Sequence, residues 1–389
     1  MKITRITPLV VNGLRANWVF VRVETDEPDL YGWGEATLER KTRAIVGAIE
    51  DLAPLFVGRD PRDIARHVDL AKKDAFWPLG LIGMSALSGI EQALWDIFGK
   101  SLGLPVWRML GGQCRERVRV YTHIGHGFFE GALPGDKTQY VEGAQELVEL
   151  GYTAIKFNPI PHTGYETRPN EVRHVGELLM AVREGVGTGV DLMVDLLGRP
   201  ASVRAAIDYI EAMEPARLMW AEEPIQPGDP ASLRMIADRV RTPIATGERL
   251  VTQKEFQDLA TCKAVTIAQP DLCHCGGLLE GMRIAATCAA HGIGIAPHNP
   301  QGPISSVVAL HFAVATPNFV IQEEMAGCVP WYYDVVKTPI RMTAGWWDVP
   351  TSPGLGIEVD LKAAERHPFA PVEQTLKPAV LADGSIVTR

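Results

Sequence analysis

Three residues with metal-binding chemistry, Asp195, Glu222 and Glu248, each stand directly after a short apolar run. If the three runs are neighbouring parallel strands, about 4.8 Å apart, their carboxylates converge at one edge of the sheet. Three anions that close repel one another, and a hard divalent cation with oxygen ligands relieves the repulsion. A lone acid at such a position more often caps the next helix or pairs with a surface base. Three acids at matching positions on neighbouring strands favour a binding site for Mg²⁺.

The next two apolar runs end in a different pair, Asp271 and His298. A carboxylate bonded to one ring nitrogen fixes the tautomer of a histidine and raises the basicity of the other nitrogen, which suits a general base. A purely structural Asp–His pair has the same sequence, so that alternative stays open. Lys156 ends an earlier run and Glu323 a later one, and both would face the same edge.

The elements that must position these residues are eight short, β-rich runs separated by longer helical stretches. They begin at Val118, Ala154, Leu192, Leu218, Pro243, Ala264, Ile293 and Phe319. Their spacing leaves room for a strand, a helix and two loops in each unit. The pattern predicts a (β/α)₈ barrel of the TIM type over residues 118–324, with the chemistry at the carboxyl ends of its strands. A doubly wound parallel sheet is the alternative.

The regions before and after the predicted barrel do not show this alternation of strand-like and helical segments. Residues 1–117 begin with alternating, strand-like segments and continue with an apolar pattern of helical period around 85–100, which predicts a separate α+β domain. After residue 324 the alternation stops and an aromatic, proline-rich segment follows. We expect this tail, residues 325–389, to return to the N-terminal domain and complete a cap over a modified barrel.

Composition narrows the classes of function. The 47 acidic and 38 basic residues leave a net charge of −9, so no basic field exists to hold nucleic acid or an anionic membrane surface. The 46% hydrophobic and 22% charged residues are typical of a globular enzyme, and six cysteines without paired spacing indicate reduced thiols. With no long apolar stretch and no cleavable leader, we expect a cytoplasmic homo-oligomer that acts on a small molecule.

Several motifs, in their order along the chain, carry a family resemblance. They are Gly-Trp-Gly-Glu at 32–35, Ile-Glu-Gln-Ala-Leu-Trp-Asp-Ile at 90–97, Ile-Lys-Phe-Asn at 155–158, Glu-Glu-Pro at 222–224, Gly-Glu-Arg at 247–249, Gln-Pro-Asp-Leu at 269–272, Ala-Pro-His at 296–298 and Pro-Gly-Leu-Gly-Ile-Glu at 353–358. Together they resemble the enolase superfamily, in its mandelate racemase subgroup, and most closely the D-galactonate dehydratase family.

The resemblance implies roles for the residues at the strand ends. Asp195, Glu222 and Glu248 fall on the positions that hold Mg²⁺, which in this family binds the substrate carboxylate and the enediolate formed from it. Asp271 and His298 fall on the catalytic dyad, with His298 taking the proton next to the carboxylate. The positions of Lys156 and Glu323, in turn, commonly contact the carboxylate end and the intermediate.

The chain departs from the dehydratase pattern in one respect. The family motif after the first metal ligand is Asp-x-His-Gly-Arg, in which the histidine protonates the departing hydroxyl, and here Leu197 stands at the histidine position. The proton must then come from His298 itself or from a histidine after the first strand. A racemase-type second base is also missing, because Asn158 stands where an amine would be needed. Residues proposed to bind substrate are Asn158, Arg199, His123, His126 and Trp331.

These observations predict a Mg²⁺-dependent lyase: a dehydratase of aldonate-type acid sugars that yields a 2-keto-3-deoxy acid. An epimerase or lactone cycloisomerase that uses the same enediolate is the alternative, and the leucine at position 197 favours it. A catalytically silent barrel that only binds a ligand is a third hypothesis. The complete set of acids and the complete dyad argue against that third hypothesis, because a binding protein has no use for a tuned base.

Overall fold

A computed structural model describes residues 1–74, 76–127, 137–371 and 378–388. The N-terminal unit is a three-stranded antiparallel sheet covered by helices. Its elements are β1 (Ile3–Asn12), β2 (Asn17–Thr25), β3 (Tyr31–Glu35), α1 (Thr42–Phe56), α2 (Ile64–Asp74), α3 (Gly80–Leu102) and α4 (Val106–Met109). None of the helices in the described ranges has the length and apolarity that a bilayer span requires.

Helix α3 packs directly on β3, and glycine makes this contact possible. A Cβ atom on Gly32 would lie 2.1 Å from the carbonyl oxygen of Ala93, and one on Gly34 would lie 2.0 Å from that of Gly89. Both distances are far below van der Waals contact. The Gly-Trp-Gly-Glu motif therefore serves close packing of a strand against a helix, and it sets Glu35 at the end of β3.

The central domain is a parallel barrel of eight strands in chain order. They are β4 (Arg117–His123), β5 (Ala154–Phe157), β6 (Asp191–Asp195), β7 (Trp220–Glu222), β8 (Ile244–Thr246), β9 (Ile267–Ala268), β10 (Gly294–Ile295) and β11 (Gln322–Glu323). The ring closes because the Ile295 amide donates to the Asn318 carbonyl (2.9 Å) and the Val320 amide donates to the Ile295 carbonyl (2.8 Å). The predicted barrel is confirmed, and the doubly wound alternative is wrong because that sheet has open edges.

Seven helices connect the strands. They are α5 (Lys137–Glu149), α6 (Pro169–Val186), α7 (Val203–Met213), α8 (Pro230–Ala237), α9 (Gln253–Thr261), α10 (Gly277–Ala290) and α11 (Pro303–Ala315). Helix α9 begins at a capping box in which Thr252 and Glu255 satisfy each other's backbone amides. All residues of α11 are buried, because it lies between the barrel and the N-terminal unit.

The inside of the barrel explains where the chemistry lies. One apolar layer fills its centre: Tyr121, Ala154, Met193, Trp220, Ala245, Ile267, Ala296 and Ile321. Side chains in a strand return to the same face every second residue. Two residues further along each strand, the inward positions are therefore His123, Lys156, Asp195, Glu222, Gly247, Gln269, His298 and Glu323. The polar ring sits directly above an apolar floor.

The C-terminal segment contains β12 (Trp346–Asp348), which pairs antiparallel with β4, and α12 (Leu361–Glu365). It also reaches the N-terminal unit. Tyr31 donates its hydroxyl to Glu358 (2.9 Å), and the Asn12 amide donates to the carbonyl of His367 (2.8 Å). The cap over the barrel thus includes residues from both ends of the chain.

Candidate active site

The three carboxylates predicted to bind a metal converge. Asp195 and Glu222 are paired in register on β6 and β7, and Glu248 follows β8. Ligand oxygens of the three side chains all lie within 4.8 Å of one another. Burial, and after it the nearby Glu222, raises the pKa of Asp195 to about 7. This all-oxygen donor set fits a hard divalent cation such as Mg²⁺.

Local contacts orient these acids. The Leu197 amide donates to Asp195 Oδ1 (2.7 Å), and Leu197 adopts a φ of 53°, in the left-handed region that few non-glycine residues enter. The indole of Trp220 donates to Glu222 Oε2 (2.9 Å) from the floor of the barrel. These contacts hold one oxygen of Asp195 and one oxygen of Glu222, and so they orient both carboxylates.

Lys156 places a buried positive charge in the site. Its Nζ lies 2.6 Å from Glu222 Oε1 and 3.1 Å from Glu323 Oε1, and all three side chains are at most 1% exposed. Burial alone would lower the pKa of Lys156, but the two glutamates raise it well above its ordinary value. Lys156 is therefore charged, and it acts here as an electrostatic anchor for two of the acids.

The predicted dyad is formed. His298 Nδ1 lies 2.7 Å from Asp271 Oδ2, which directs the other ring nitrogen, Nε2, toward Glu248 at 3.5 Å. Burial would lower the pKa of His298, but Glu248 and Asp271 raise it well above its usual value. The imidazole therefore stands beside Glu248, with Nε2 on the side of the three carboxylates.

Sequence reasoning missed two residues that support Asp271. Gln301 donates from Nε2 to Asp271 Oδ2 (2.6 Å), and His274 places its Nε2 3.5 Å from the same oxygen. The Cys273 amide donates to the other oxygen, Oδ1 (2.7 Å). In the sequence, the only sign that His274 supports Asp271 is its position three residues after that aspartate.

A third missed residue is Gln269, which period-two alternation along β9 would have identified. It lies on the inward polar ring, is fully buried, and both atoms of its amide are without a hydrogen-bond partner among the described residues.

Glu323 forms a second hydrogen-bonded cluster. His123 Nε2 donates to Glu323 Oε1 (2.5 Å), and the backbone N–H of Asn299 donates to Glu323 Oε2 (2.6 Å). Burial and the nearby Lys156 lower the pKa of His123, so its ring is neutral near pH 7. Lys156 and His123 in turn hold the pKa of Glu323 well below its ordinary value, against the effect of burial.

The remaining predicted substrate-binding residues are placed differently. Arg199 is buried and donates to the carbonyl of Ile160 (2.6 Å). Trp331 donates to the carbonyl of Asn12 (2.7 Å), and its ring stacks on His367 at 4.1 Å. Both contacts are structural ones.

Two further residues complete the set predicted to bind substrate. Asn158 follows β5 and is half-buried. The side chain of His126 lies outside the described part of the chain. Substrate contact by these residues, as by Arg199 and Trp331, stays a prediction.

The ring as a whole suits one type of chemistry. It can hold a divalent cation, it places an imidazole next to the position of that cation, and it carries a lysine that compensates anions. Removing a proton beside a carboxylate creates a second negative charge, and concentrated positive charge next to a base is what that step requires.

Comparison with known families gives two matches. Residues 8–111 match the N-terminal domain described as mandelate racemase/muconate lactonizing enzyme, and residues 139–364 match the domain described as enolase C-terminal domain-like.

Curated relatives match over nearly the whole chain. A protein named D-galactonate dehydratase from Verminephrobacter eiseniae is 34% identical over 365 residues, 92% of each chain. One with the same name from Pectobacterium atrosepticum is 33% identical and covers 95% of this chain and 96% of its own.

Solved structures agree with this. A mandelate racemase/muconate lactonizing enzyme-like protein from Rubrobacter xylanophilus superimposes with a TM-score of 0.89 at 32% identity, over 95% of this chain and 98% of its own. A member of the enolase superfamily from Salmonella Typhimurium gives 0.89 at 30% identity, over 94% and 98%.

Proposed function

The chain belongs to the mandelate racemase/muconate lactonizing enzyme family of the enolase superfamily, and from that premise we propose that it is a Mg²⁺-dependent dehydratase of acid sugars. Its substrate is an aldonate-type hydroxy acid and its product a 2-keto-3-deoxy acid. The names of the curated relatives support water loss from an acid sugar.

One observation carries the proposal. His298 Nε2 lies 3.5 Å from Glu248, one of three carboxylates suited to a divalent cation. A substrate carboxylate bound to a cation that those acids hold would therefore bring its α-carbon next to the base. Proton transfer needs this proximity, and the geometry of the dyad provides it without a change of fold.

Asp195, Glu222 and Glu248 would hold the cation. When bound, Mg²⁺ supplies the concentrated positive charge that makes loss of a proton beside a carboxylate feasible. Lys156 adds a fixed positive charge to the same wall of the ring through its contact with Glu222. Asp271 accepts the proton on Nδ1 of His298. Against the effect of burial, Glu248 raises the pKa of this imidazole; a cation held by Glu248 would offset that effect and leave Nε2 unprotonated, as the atom that accepts.

The reaction balances with this one base. Nε2 of His298 takes the α-proton, and the electron pair of the broken C–H bond moves toward the substrate carboxylate. When that pair forms the C=C bond, the β C–O bond breaks and the leaving hydroxyl takes the proton from the His298 imidazolium. Water is released, and the enol product tautomerises to the keto acid. Leu197 cannot donate a proton, so proton abstraction and hydroxyl departure occur on one face of the substrate, as a syn elimination.

The test is incubation of the protein and Mg²⁺ with a set of acid sugars in D₂O. The 2-keto product and deuterium incorporation next to the carboxylate are scored separately. We expect keto product with at least one aldonate. The variant His298→Asn should lose both signals while substrate binding stays nearly intact, because the amide keeps the shape of the site but accepts no proton.

A second candidate is an epimerase or lactone cycloisomerase, and Leu197 is the observation that favours it. Those reactions share the proton abstraction but need no acid for a leaving hydroxyl. Deuterium incorporation without any keto product, across all substrates, would contradict the dehydratase and support this alternative.

A further inference from the structure

One face of α3 in the cap carries Ser85, Ser88, Glu91 and Gln92, at spacings that place them on the same side of the helix. We call these four residues the α3 polar stripe. They are all buried, and they face the segment 272–279, which directly follows the dyad aspartate. A polar helix face buried in this way must be hydrogen-bonded, and its partners reveal what it holds.

The partners are backbone and side-chain groups of that segment. Ser88 Oγ accepts from the Gly276 amide (2.9 Å), and Gln92 donates to the Leu272 carbonyl (2.9 Å). Glu91 accepts from the amides of α10, the barrel helix that starts there. The cap therefore fixes the backbone on which the dyad aspartate sits.

Ser85, the first residue of the stripe, holds a side chain. Its hydroxyl lies 2.7 Å from the Leu81 carbonyl and 2.9 Å from His274 Nδ1. A serine has one hydroxyl proton, and donating it to the carbonyl leaves an oxygen lone pair for an Nδ1–H donor. With the proton on Nδ1, Nε2 of His274 is an acceptor. It lies 3.5 Å from Asp271 Oδ2 and 3.5 Å from Gln301 Nε2, the amide nitrogen that donates to that same oxygen.

Three side chains surround that one oxygen of Asp271. His298 Nδ1 and Gln301 Nε2 lie 2.7 Å and 2.6 Å from Oδ2, and Gln301 Nε2 is also 3.5 Å from His274 Nε2. A carboxylate crowded in this way cannot rotate unless a neighbour moves. The ring of His274 closes the side that faces the cap.

We propose that His274 is a positioning residue, which holds the Gln301 amide and through it Asp271 in the orientation that aligns His298, and which ties that orientation to the cap through Ser85. The proposal rests on the proposed function for its effect on turnover, since an aligned dyad matters only where His298 is the base. His274 touches neither substrate nor reacting atoms in this scheme.

Two near-isosteric substitutions separate the two sides of the ring. The amide nitrogen of asparagine occupies the place of Nδ1, so His274→Asn keeps the contact with Ser85 and loses the one near Asp271. Glutamine reaches the place of Nε2, so His274→Gln keeps the side that faces Asp271. We expect His274→Asn to lower kcat by about 10- to 100-fold with KM nearly unchanged, and His274→Gln to restore most of that loss.

A spectroscopic measurement makes the test independent of turnover. We expect the proton between His298 Nδ1 and Asp271 to resonate far downfield, and we expect its signal to shift or broaden in His274→Asn and in Ser85→Ala but to stay in place in His274→Gln. The matched control is His67→Asn, which replaces another buried histidine of the chain, one that bonds the Asp60 carbonyl. It should change neither kcat nor the signal.

Equal losses in the asparagine and glutamine variants, or an unmoved downfield signal in His274→Asn, would overturn the proposal. If His274→Asn does not fold, Ser85→Ala decides in its place, since that variant keeps the ring and removes only the tether. If the wild-type protein converts no acid sugar, the proposed function fails, and the downfield signal still decides whether His274 positions Asp271.

Discussion

Replacing Lys156 by methionine tests whether the positive charge of this lysine compensates the negative charge of the neighbouring acids. The change removes the cation that lies 2.6 Å from Glu222 and 3.1 Å from Glu323, in a place where all three side chains are at most 1% exposed. At an effective dielectric constant of about 20, the two contacts amount to roughly 12 kcal/mol of gross attraction. Desolvation of the three charges offsets most of it, and breaking a buried pair of this kind costs about 3–5 kcal/mol.

The assay is urea unfolding with a chelator and then with Mg²⁺. With a chelator, the free energy of unfolding of Lys156→Met should be lower than that of the wild type by about 3–5 kcal/mol. The deficit should shrink at pH 5, because a carboxylate left without its cation takes up a proton. Mg²⁺ should bind the variant more tightly than the wild type, because no lysine competes for Glu222. Since a ligand stabilises the folded protein more when it binds more tightly, Mg²⁺ should also recover much of the lost stability.

The matched control is Lys137→Met. Lys137 also lies 2.6 Å from a glutamate, Glu177, but both side chains are exposed to solvent. This variant should change stability little and leave the Mg²⁺ affinity as it was. If Mg²⁺ binds Lys156→Met no more tightly than the wild type, then Lys156 does not compensate the acids of the metal site and the reasoning fails.

Three further predictions use other groups. Because burial and Glu222 raise the pKa of Asp195 to about 7, Mg²⁺ binding to metal-free protein should release more protons at pH 6 than at pH 8, as measured with an indicator dye or by calorimetry in two buffers. His123→Ala should lower turnover by much less than about 100-fold, since a neutral ring is not the acid; a larger loss, with substrate binding retained, would assign it that role. Burial raises the pKa of Glu91 from 4.5 to about 7, so the folded state binds an extra proton between those values and stability falls as the pH rises through them. Glu91→Gln should lack that contribution, and identical pH profiles of unfolding would contradict it.

The sequence predicts the barrel and its polar edge because two strong signals coincide. Eight apolar runs give the strands, and alternation with a period of two places Lys156, Asp195, Glu222, His298 and Glu323 on one inward ring. The acids converge because their strands are neighbours in chain order, so the distance in space follows from topology alone.

The supports of the dyad could not be predicted in the same way. Gln301 lies in a loop 30 residues after Asp271, and Ser85 lies 189 residues before His274. No local periodicity encodes contacts between a cap helix and a barrel loop. Residue type alone does not indicate what Arg199 contacts within the fold, which is the carbonyl of Ile160.

Because Leu197 cannot donate a proton, the central chemical question of this site is which group protonates the leaving hydroxyl. His123 is the one histidine of the first strand end whose side chain is described; it is neutral, and its Nε2–H is already donated to Glu323. To act as an acid it would have to gain a proton next to Lys156, whose charge opposes this. His298 faces no such obstacle, because it holds the abstracted proton on Nε2 at the moment the hydroxyl departs. In the proposed syn elimination, the α C–H bond and the β C–O bond must both lie on the side of His298. Because the Cα–Cβ bond of an open-chain acid sugar rotates, the configurations at both carbons and the pocket that fixes this rotation together decide which acid sugars are converted.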